Sequence, residues 1–314
     1  MKDRTNKRYY SLSDWCLETY GEKLYKLPLD IGCTCPNRDG HIGGRGCIFC
    51  SQGGSGDFAS SCNSPEEVSE CIKNGKLQFA GKKAARFIPY FQSYSNTYGD
   101  PERLAALYEA ALKDPDSAGI SIATRPDCLP DSILSVLDRL NRAFPDKFIW
   151  IELGLQTIHK DTAKFIRRGY DLSCFENAVT KLTAIRLPVI AHLILGLPGE
   201  TTARILESVS YLNALPVWGV KLQLLHVLSG TDLESHYLAG EFSTFTMEEY
   251  IDLLLECIRT LSPDKVIHRI TGDGPKDLLI APKWSENKRM VLNEIHKAMR
   301  VQDVHQGDLY LDSP

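Results

Sequence analysis

The sequence predicts an α/β fold, with six strand–helix units arranged around a parallel sheet. Three observations predict it. Short, almost wholly apolar runs recur along the chain, and a strand without polar alternation is one that a parallel sheet buries on both faces. A longer segment with helical patterning follows each run, and several of these segments open on helix-start residues. The 314 residues are 43% hydrophobic, with no low-complexity linker and no solenoid repeat, so one large core can be buried.

Taken in order, Ser11–Gly21 reads as a helix ahead of the sheet, and Leu24–Ile31 as the first strand. Ser64-Pro65-Glu66-Glu67 opens a helix, with serine as cap and proline in the first turn. Phe87–Phe91 is the second strand, and Asp100-Pro101 opens the helix after it. Gly119–Ala123, Phe148–Leu153, Val189–Leu195 and Val220–Leu225 complete the six strands. Ser173 with Glu176, and Thr246 with Glu249, have the spacing of a capping box. Val266–Ile270 adds a further strand, and Ser285–Arg300 a last helix. A parallel sheet of this length curls or closes.

Function is most legible between Asp30 and Gly56, in D-I-G-C-T-C-P-N-R-D-G-H-I-G-G-R-G-C-I-F-C-S-Q-G-G-S-G. Four cysteines, Cys33, Cys35, Cys47 and Cys50, share this glycine-rich loop. Thiolates so close in sequence are suited to a soft metal centre. If three hold a [4Fe–4S] cluster, one iron stays open and the site is reactive. The alternative is a four-cysteine zinc site, for which Cys33 and Cys35, one residue apart, make a poor knuckle. A disulfide at Cys33 is a further alternative. Ten cysteines with no signal peptide and no membrane-length apolar run imply a reducing, cytoplasmic setting. Cys16, Cys62, Cys71, Cys128, Cys174 and Cys257 lack ligand spacing and read mostly as packed thiols.

The string C-P-N-R-D-G followed by C-x-F-C resembles the radical S-adenosylmethionine (SAM) superfamily. Within it, the chain resembles the YhcC-type and MnmL-type (YtqA) group, related to the catalytic subunit of Elongator. The likeness runs from about Tyr9 to Lys288. The eleven-residue gap between Cys35 and Cys47 is this branch's variation on the commoner C-x3-C-x2-C. The resemblance implies a partial (β/α)6 TIM-like barrel with N- and C-terminal extensions. Residues 1–23 are then a basic extension and helix, 24–280 the core barrel, and 281–314 a helical extension. It implies a [4Fe–4S] cluster on Cys35, Cys47 and Cys50, with Cys33 left over, and SAM as second cofactor.

Barrel chemistry sits at the C-terminal ends of strands, and the resemblance assigns roles there. Ser93 or Tyr94 follows the second strand, where relatives receive the methionine amino group of SAM on a glycine-rich segment; this chain has polar side chains there, which also suit an ordinary strand-to-helix turn. In Thr124-Arg125-Pro126-Asp127-Cys128, Thr124 joins the cofactor contacts. Arg125 points into the mouth or pairs with Asp127 or Glu152. Cys128 is a hydrogen-atom donor or a buried small hydrophobe. In Glu152-x-Gly154-x-Gln156, Gln156 meets the SAM ribose, and Arg168 grips its carboxylate. His192 falls where relatives contact the ribose, although a lone histidine in an apolar strand is also an ordinary core residue. Gly196 and Gly199 approach the adenine, with Ile194 or Leu195 as walls and Phe49 over another edge. Arg269, Asp273 or Lys283 touches substrate, or their segment is a solvated loop leading into the last helix.

The implied reaction is reductive cleavage of SAM to methionine and a 5′-deoxyadenosyl radical, which takes hydrogen from substrate. A flavodoxin or ferredoxin supplies the electron. The implied substrate is tRNA at the wobble uridine, its C5 side chain taken from carboxymethylaminomethyl towards aminomethyl. Two alternatives remain: a small molecule, as in the porphyrinogen oxidases that share the G-x-Q and G-L-P elements, or a non-catalytic metal-binding protein. A formal net charge of −4 lends nucleic-acid binding little support. Local basic groups do occur: Lys2, Arg4, Lys7 and Arg8 beside Tyr9 and Tyr10; Lys82, Lys83 and Arg86; and Lys283, Lys288, Arg289, Lys297 and Arg300 beside Trp284.

Overall fold

Helix α1 (Leu12–Tyr20) begins on Ser11 and Asp14, which cap one another, and stops at Gly21 in the left-handed region. The computed structural model describes residues 8–54, 56–79, 86–272 and 274–311. Lys2, Arg4, Lys7, Lys82, Lys83 and Asp273 lie outside the described residues. After α1 come β1 (Tyr25–Asp30), β2 (Ser60–Ser61), α2 (Pro65–Leu77), β3 (Phe87–Phe91), α3 (Pro101–Lys113), β4 (Gly119–Thr124) and α4 (Asp131–Ala143). Next are β5 (Phe148–Gln156), α5 (Lys160–Phe165), α6 (Leu172–Ala184), β6 (Val189–Leu195), α7 (Thr202–Asn213) and β7 (Gly219–Leu224). The chain continues through β8 (Val227–Leu228), α8 (Asp232–Leu238), α9 (Met247–Thr260), β9 (Val266–Arg269), β10 (Leu279–Ala281) and α10 (Lys288–Val301).

Eight strands form one sheet in the order β2-β1-β3-β4-β5-β6-β7-β9, and each neighbouring pair is parallel. Strands β8 and β10 pair separately and antiparallel. Helices follow the strands, and the result is a partial TIM-like α/β barrel whose edges are β2 and β9.

The expected caps at Ser64, Asp100 and Thr246 each accept from the backbone three residues on. The start read at Ser173 is displaced: α6 begins at Leu172 after Asp171. Strand β5 also runs on to Gln156, three residues beyond the expected end.

Alternation along the strands divides two environments. In β5, Ile149, Ile151, Leu153 and Leu155 join the core under the helices. Trp150, Glu152, Gly154 and Gln156 face the barrel interior, where Trp150 packs with Ile88 and Ile190 and the other three line a cavity. α1 closes the N-terminal end of the barrel. Its Trp15 ring lies 5.3 Å from Trp150 and 5.1 Å from Trp218, edge to face in both cases. Above this aromatic plug the interior turns polar.

Candidate active site

At the C-terminal ends of the strands the barrel opens into a cavity of about 260 Å3. The cysteine loop forms one wall, and Cys35, Cys47 and Cys50 all line it. The loop is tied down mainly through its backbone. The Cys35 carbonyl accepts from the amides of Arg38 at 2.8 Å and Asp39 at 3.1 Å. The Ile48 amide donates to Ile166 at 3.2 Å, and the Ile48 carbonyl accepts from Leu233 at 2.9 Å. Arg38 donates to the Cys50 and Ser51 carbonyls at 2.9 and 2.5 Å. Gly46 has φ 73°, and a Cβ there would stand 2.8 Å from Arg38 Nε, so only glycine suits that turn.

Asn37 Nδ2 donates to the Arg167 carbonyl at 2.5 Å and reaches Cys47 Sγ at 3.5 Å. The bond with Cys50, aided by Arg125 and Asn37 against burial, brings the Cys47 thiol down to about 7. The same bond and burial push Cys50 up. Cys33 does not line the cavity; it packs into the main core, where burial raises its thiol to about 11. The four-cysteine zinc arrangement is therefore not assembled, and all ten cysteines are free thiols.

Gln156 closes β5 in the left-handed region at φ 67°, an unusual backbone for this residue type. Gln156 lines the cavity, and its Oε1 is buried with no hydrogen-bond partner. Gly154 leaves room for it, since a Cβ there would sit 2.6 Å from Gln156 Nε2. Thr124 lines the same wall and shares a 2.6 Å hydrogen bond with Thr97. Phe49 and Ile194 lie together in a small apolar group with Ile48, Ile166, Leu197 and Leu225. Leu195 faces the main core instead. The missing Cβ of Gly196 makes room for the Phe245 ring, which it would meet at 2.8 Å.

Both strand-end arginines are anchored. Arg125 forms a bidentate pair with Asp127 at 2.9 and 2.7 Å, and its third group donates to the Arg168 carbonyl at 2.9 Å. Of the two carboxylates expected for it, Asp127 is the partner. Arg168 donates to the carbonyls of Leu155 at 2.9 Å, Thr157 at 2.5 Å, and Tyr170 at 3.1 and 3.0 Å. Arg168 lines the cavity, where a carboxylate was expected to meet it, and the same fork clamps the turn after β5. Both guanidinium groups lie over the Tyr170 ring, at 4.9 and 4.8 Å.

Three expected contacts are not brought to the cavity wall. Ser93 is fully buried outside the lining, its Oγ turned towards Gly56. Cys128 is buried outside it as well, and burial pushes its thiol well up. Lys283 donates to the Leu279 carbonyl at 2.6 Å and pairs with Glu286 at 3.1 Å. Arg269 does line the cavity.

The cavity floor is a charged layer that sequence reasoning missed. Glu152, 1% exposed, accepts from Ser121 at 2.6 Å, from Tyr90 and His192 at 2.9 Å, and from Lys26 and Lys221. Burial alone would raise its carboxyl, but Lys221, Lys26 and His192 outweigh it and hold Glu152 well below the usual range. Burial, reinforced by Lys221, pushes His192 down to about 4. The available signal was a lysine inside each of two apolar strands, Lys26 and Lys221.

Residues 35–212 match the Radical SAM superfamily and residues 217–301 the Radical SAM C-terminal domain, so this chain belongs to the radical SAM superfamily. Within it, the chain stands with the YhcC/YtqA group. It is 39% identical to YtqA of Bacillus subtilis (strain 168), over 98% of this chain and 94% of that one. It is 34% identical to YhcC of Escherichia coli (strain K12), over 92% of each. Among solved structures, an archaeal Methanocaldococcus infernus Elp3 with an N-terminal deletion superposes with a TM-score of 0.66 at 16% identity, a likeness of fold. That match covers 90% of this chain and 64% of the Elp3 chain, a little under two thirds. The cofactors are a [4Fe–4S] cluster and SAM. The site fits them: three loop thiols line one wall, and a buried amide oxygen lacks a partner on another.

Proposed function

We propose that this radical SAM enzyme remodels the C5 side chain of the wobble uridine in tRNA, from carboxymethylaminomethyl towards aminomethyl. The observation that carries the reading is one cavity shared by three loop thiols, the Gln156 amide and a charged floor, in a close relative of YtqA. The resemblance of this group to wobble-uridine enzymes supports the choice of substrate. The organisation that goes with it is a basic extension at 1–23, a core barrel at 24–280 and a helical extension at 281–314. A cytoplasmic setting and a flavodoxin or ferredoxin as reductant belong to the same reading.

Cys35, Cys47 and Cys50 would hold the cluster, and Gln156, His192, Thr124, Phe49 and Ile194 would surround SAM. When bound, the pair supplies a 5′-deoxyadenosyl radical that abstracts hydrogen from a substrate carbon. The chain's own residues do the rest. Arg168 fixes the turn that holds Gln156 in its left-handed conformation. Glu152 is ionised and can only accept, so His192 Nε2 carries the proton, and Nδ1 is left as an acceptor for a hydroxyl. The apolar group around Phe49 excludes water from the reacting centre.

The test is nucleoside mass spectrometry of tRNA from a strain lacking the gene. The carboxymethylaminomethyl nucleoside should accumulate. Identical nucleosides in both strains, together with purified protein that ignores tRNA at low salt, would remove tRNA from the reading.

A further inference from the structure

Among the described residues, two lysines and one carboxylate meet at the floor of the cavity. Glu152 accepts five hydrogen bonds on two oxygens, so its acceptor capacity is filled. Two ammonium groups share this one carboxylate. Lys26 donates one N–H to Glu152. Lys221 donates one to Glu152 and one to Tyr90 at 3.1 Å. Each ammonium has three donors, so three N–H groups of the pair point elsewhere. His192 is neutral, and Arg269 lies near enough to act on both lysines. A buried group with net positive charge is unfavourable unless an anion completes it. The open side of this layer is the cavity, since Tyr90, Glu152, His192, Lys221 and Arg269 all line it. Neither lysine is among the residues that would hold the cluster or surround SAM in the proposed function.

We propose that Lys221, held beside Lys26 on Glu152 and backed by Arg269, is the receptor for a carboxylate carried by the substrate. Burial lowers both ammonium groups, Lys221 the further, where repulsion from Lys26 adds to it; with both protonated, the lysine pair and Glu152 carry one net positive charge, which a carboxylate neutralises one for one. In the tRNA reading, on which this assignment rests for its source, the carboxylate ends the carboxymethylamino group. A small-molecule acid would offer the same chemistry.

The experiment measures binding to the full chain with its cluster oxidised and SAM present, so that no turnover occurs. The probes are an anticodon stem-loop carrying 5-carboxymethylaminomethyluridine, the same stem-loop carrying 5-aminomethyluridine, and sarcosine, which is the acid-bearing side chain alone. The wild-type chain should prefer the first stem-loop over the second by about tenfold or more. Lys221→Met should abolish that preference while leaving the second stem-loop bound as before, and Lys221→Arg should retain it. If Lys221→Met fails to fold by circular dichroism, Lys26→Met, at a partly exposed side chain, carries the same test. A preference unchanged by either Met variant overturns the proposal and leaves the tRNA reading standing. If neither stem-loop binds, the tRNA reading fails and sarcosine decides. Lysine-dependent sarcosine binding keeps the receptor with a small-molecule source, and its absence removes the receptor too.

Discussion

Gln156 and Arg168 divide one task at the end of β5. Gln156 lines the cavity and carries a buried amide oxygen without a partner, and the arginine holds the backbone on either side of it. Gln156→Ala should therefore weaken SAM binding roughly tenfold with little loss of stability, the effect of deleting a desolvated hydrogen bond. Arg168→Ala should instead destabilise the fold by on the order of 3 kcal/mol, because buried carbonyls lose a charged donor. Urea melts alongside SAM titrations separate the two; an Arg168→Ala protein of normal stability that no longer binds SAM would restore direct contact with the cofactor. At the loop, Cys35→Ala, Cys47→Ala and Cys50→Ala should each lose the cluster's complement of about four irons, whereas Cys33→Ala should keep it. Full iron content in Cys47→Ala would contradict the ligand set. The thiols were legible because they sit close in sequence. The Arg168 clamp was not, since bonds from a side chain to nearby carbonyls leave no pattern of residue types. Lys26 and Lys221 escaped notice because Glu152 lies 126 and 69 residues away from them.

Among the elements, α1 shows best how a sequence feature becomes architecture. Its capping residues and Gly21 mark its bounds in the sequence, while its role as a plug depends on Trp15 meeting Trp150 of β5 and Trp218 just before β7. Trp15→Ala should lower stability by about 3 kcal/mol through the cavity it leaves. A thermal midpoint unchanged in that variant would mean the aromatic plug is dispensable. The long strands were readable from apolar runs because both faces are covered. Strands β2, β8 and β10, of two or three residues, were not, since pairing with distant segments defines them rather than any period. The displaced start of α6 has a similar cause. The chain leaves the Arg168 clamp and Gly169 at φ 84° directly into the helix, ahead of the serine whose spacing suggested a cap.

For the molecule as a whole, two buried imidazoles set the response to acid. Burial holds His192 at about 4 and His268 well below its usual value, and both ring nitrogens of His268 lack partners beside Trp150 and Trp218. The unfolded chain binds protons at these sites below about 6.5, and folded His192 does so only near 4. Their contribution is thus fully present above 6.5 and is lost as pH falls from 6.5 towards 4. His192→Gln with His268→Gln should flatten the stability slope in that window, as urea midpoints across pH would show; Glu152, held far lower, does not titrate there. Charge also bears on tRNA. Several cations of the basic groups are already paired, Arg8 with Asp303, Arg86 with Glu22 and Lys297 with Glu294. Affinity for tRNA should fall steeply with salt, and removing Met1–Lys7 should weaken it more than it weakens SAM cleavage. Binding indifferent to salt would count against phosphate contacts.

The order of the sheet has a mechanical consequence. A closed barrel is a hoop, and its bore is fixed by its strand count, because widening it anywhere breaks a ladder. Here β2 and β9 end the sheet, and the hoop is cut. Asp57 and Phe58 precede one edge strand, Gly272, Gly274 and Pro275 follow the other, and all five border the cavity. Among the described residues no strand pairing joins the two lips, so they can part without sacrificing a ladder. Such compliance suits a guest that is the protruding tip of something much larger, and amide exchange at the two lips should slow when that guest is seated.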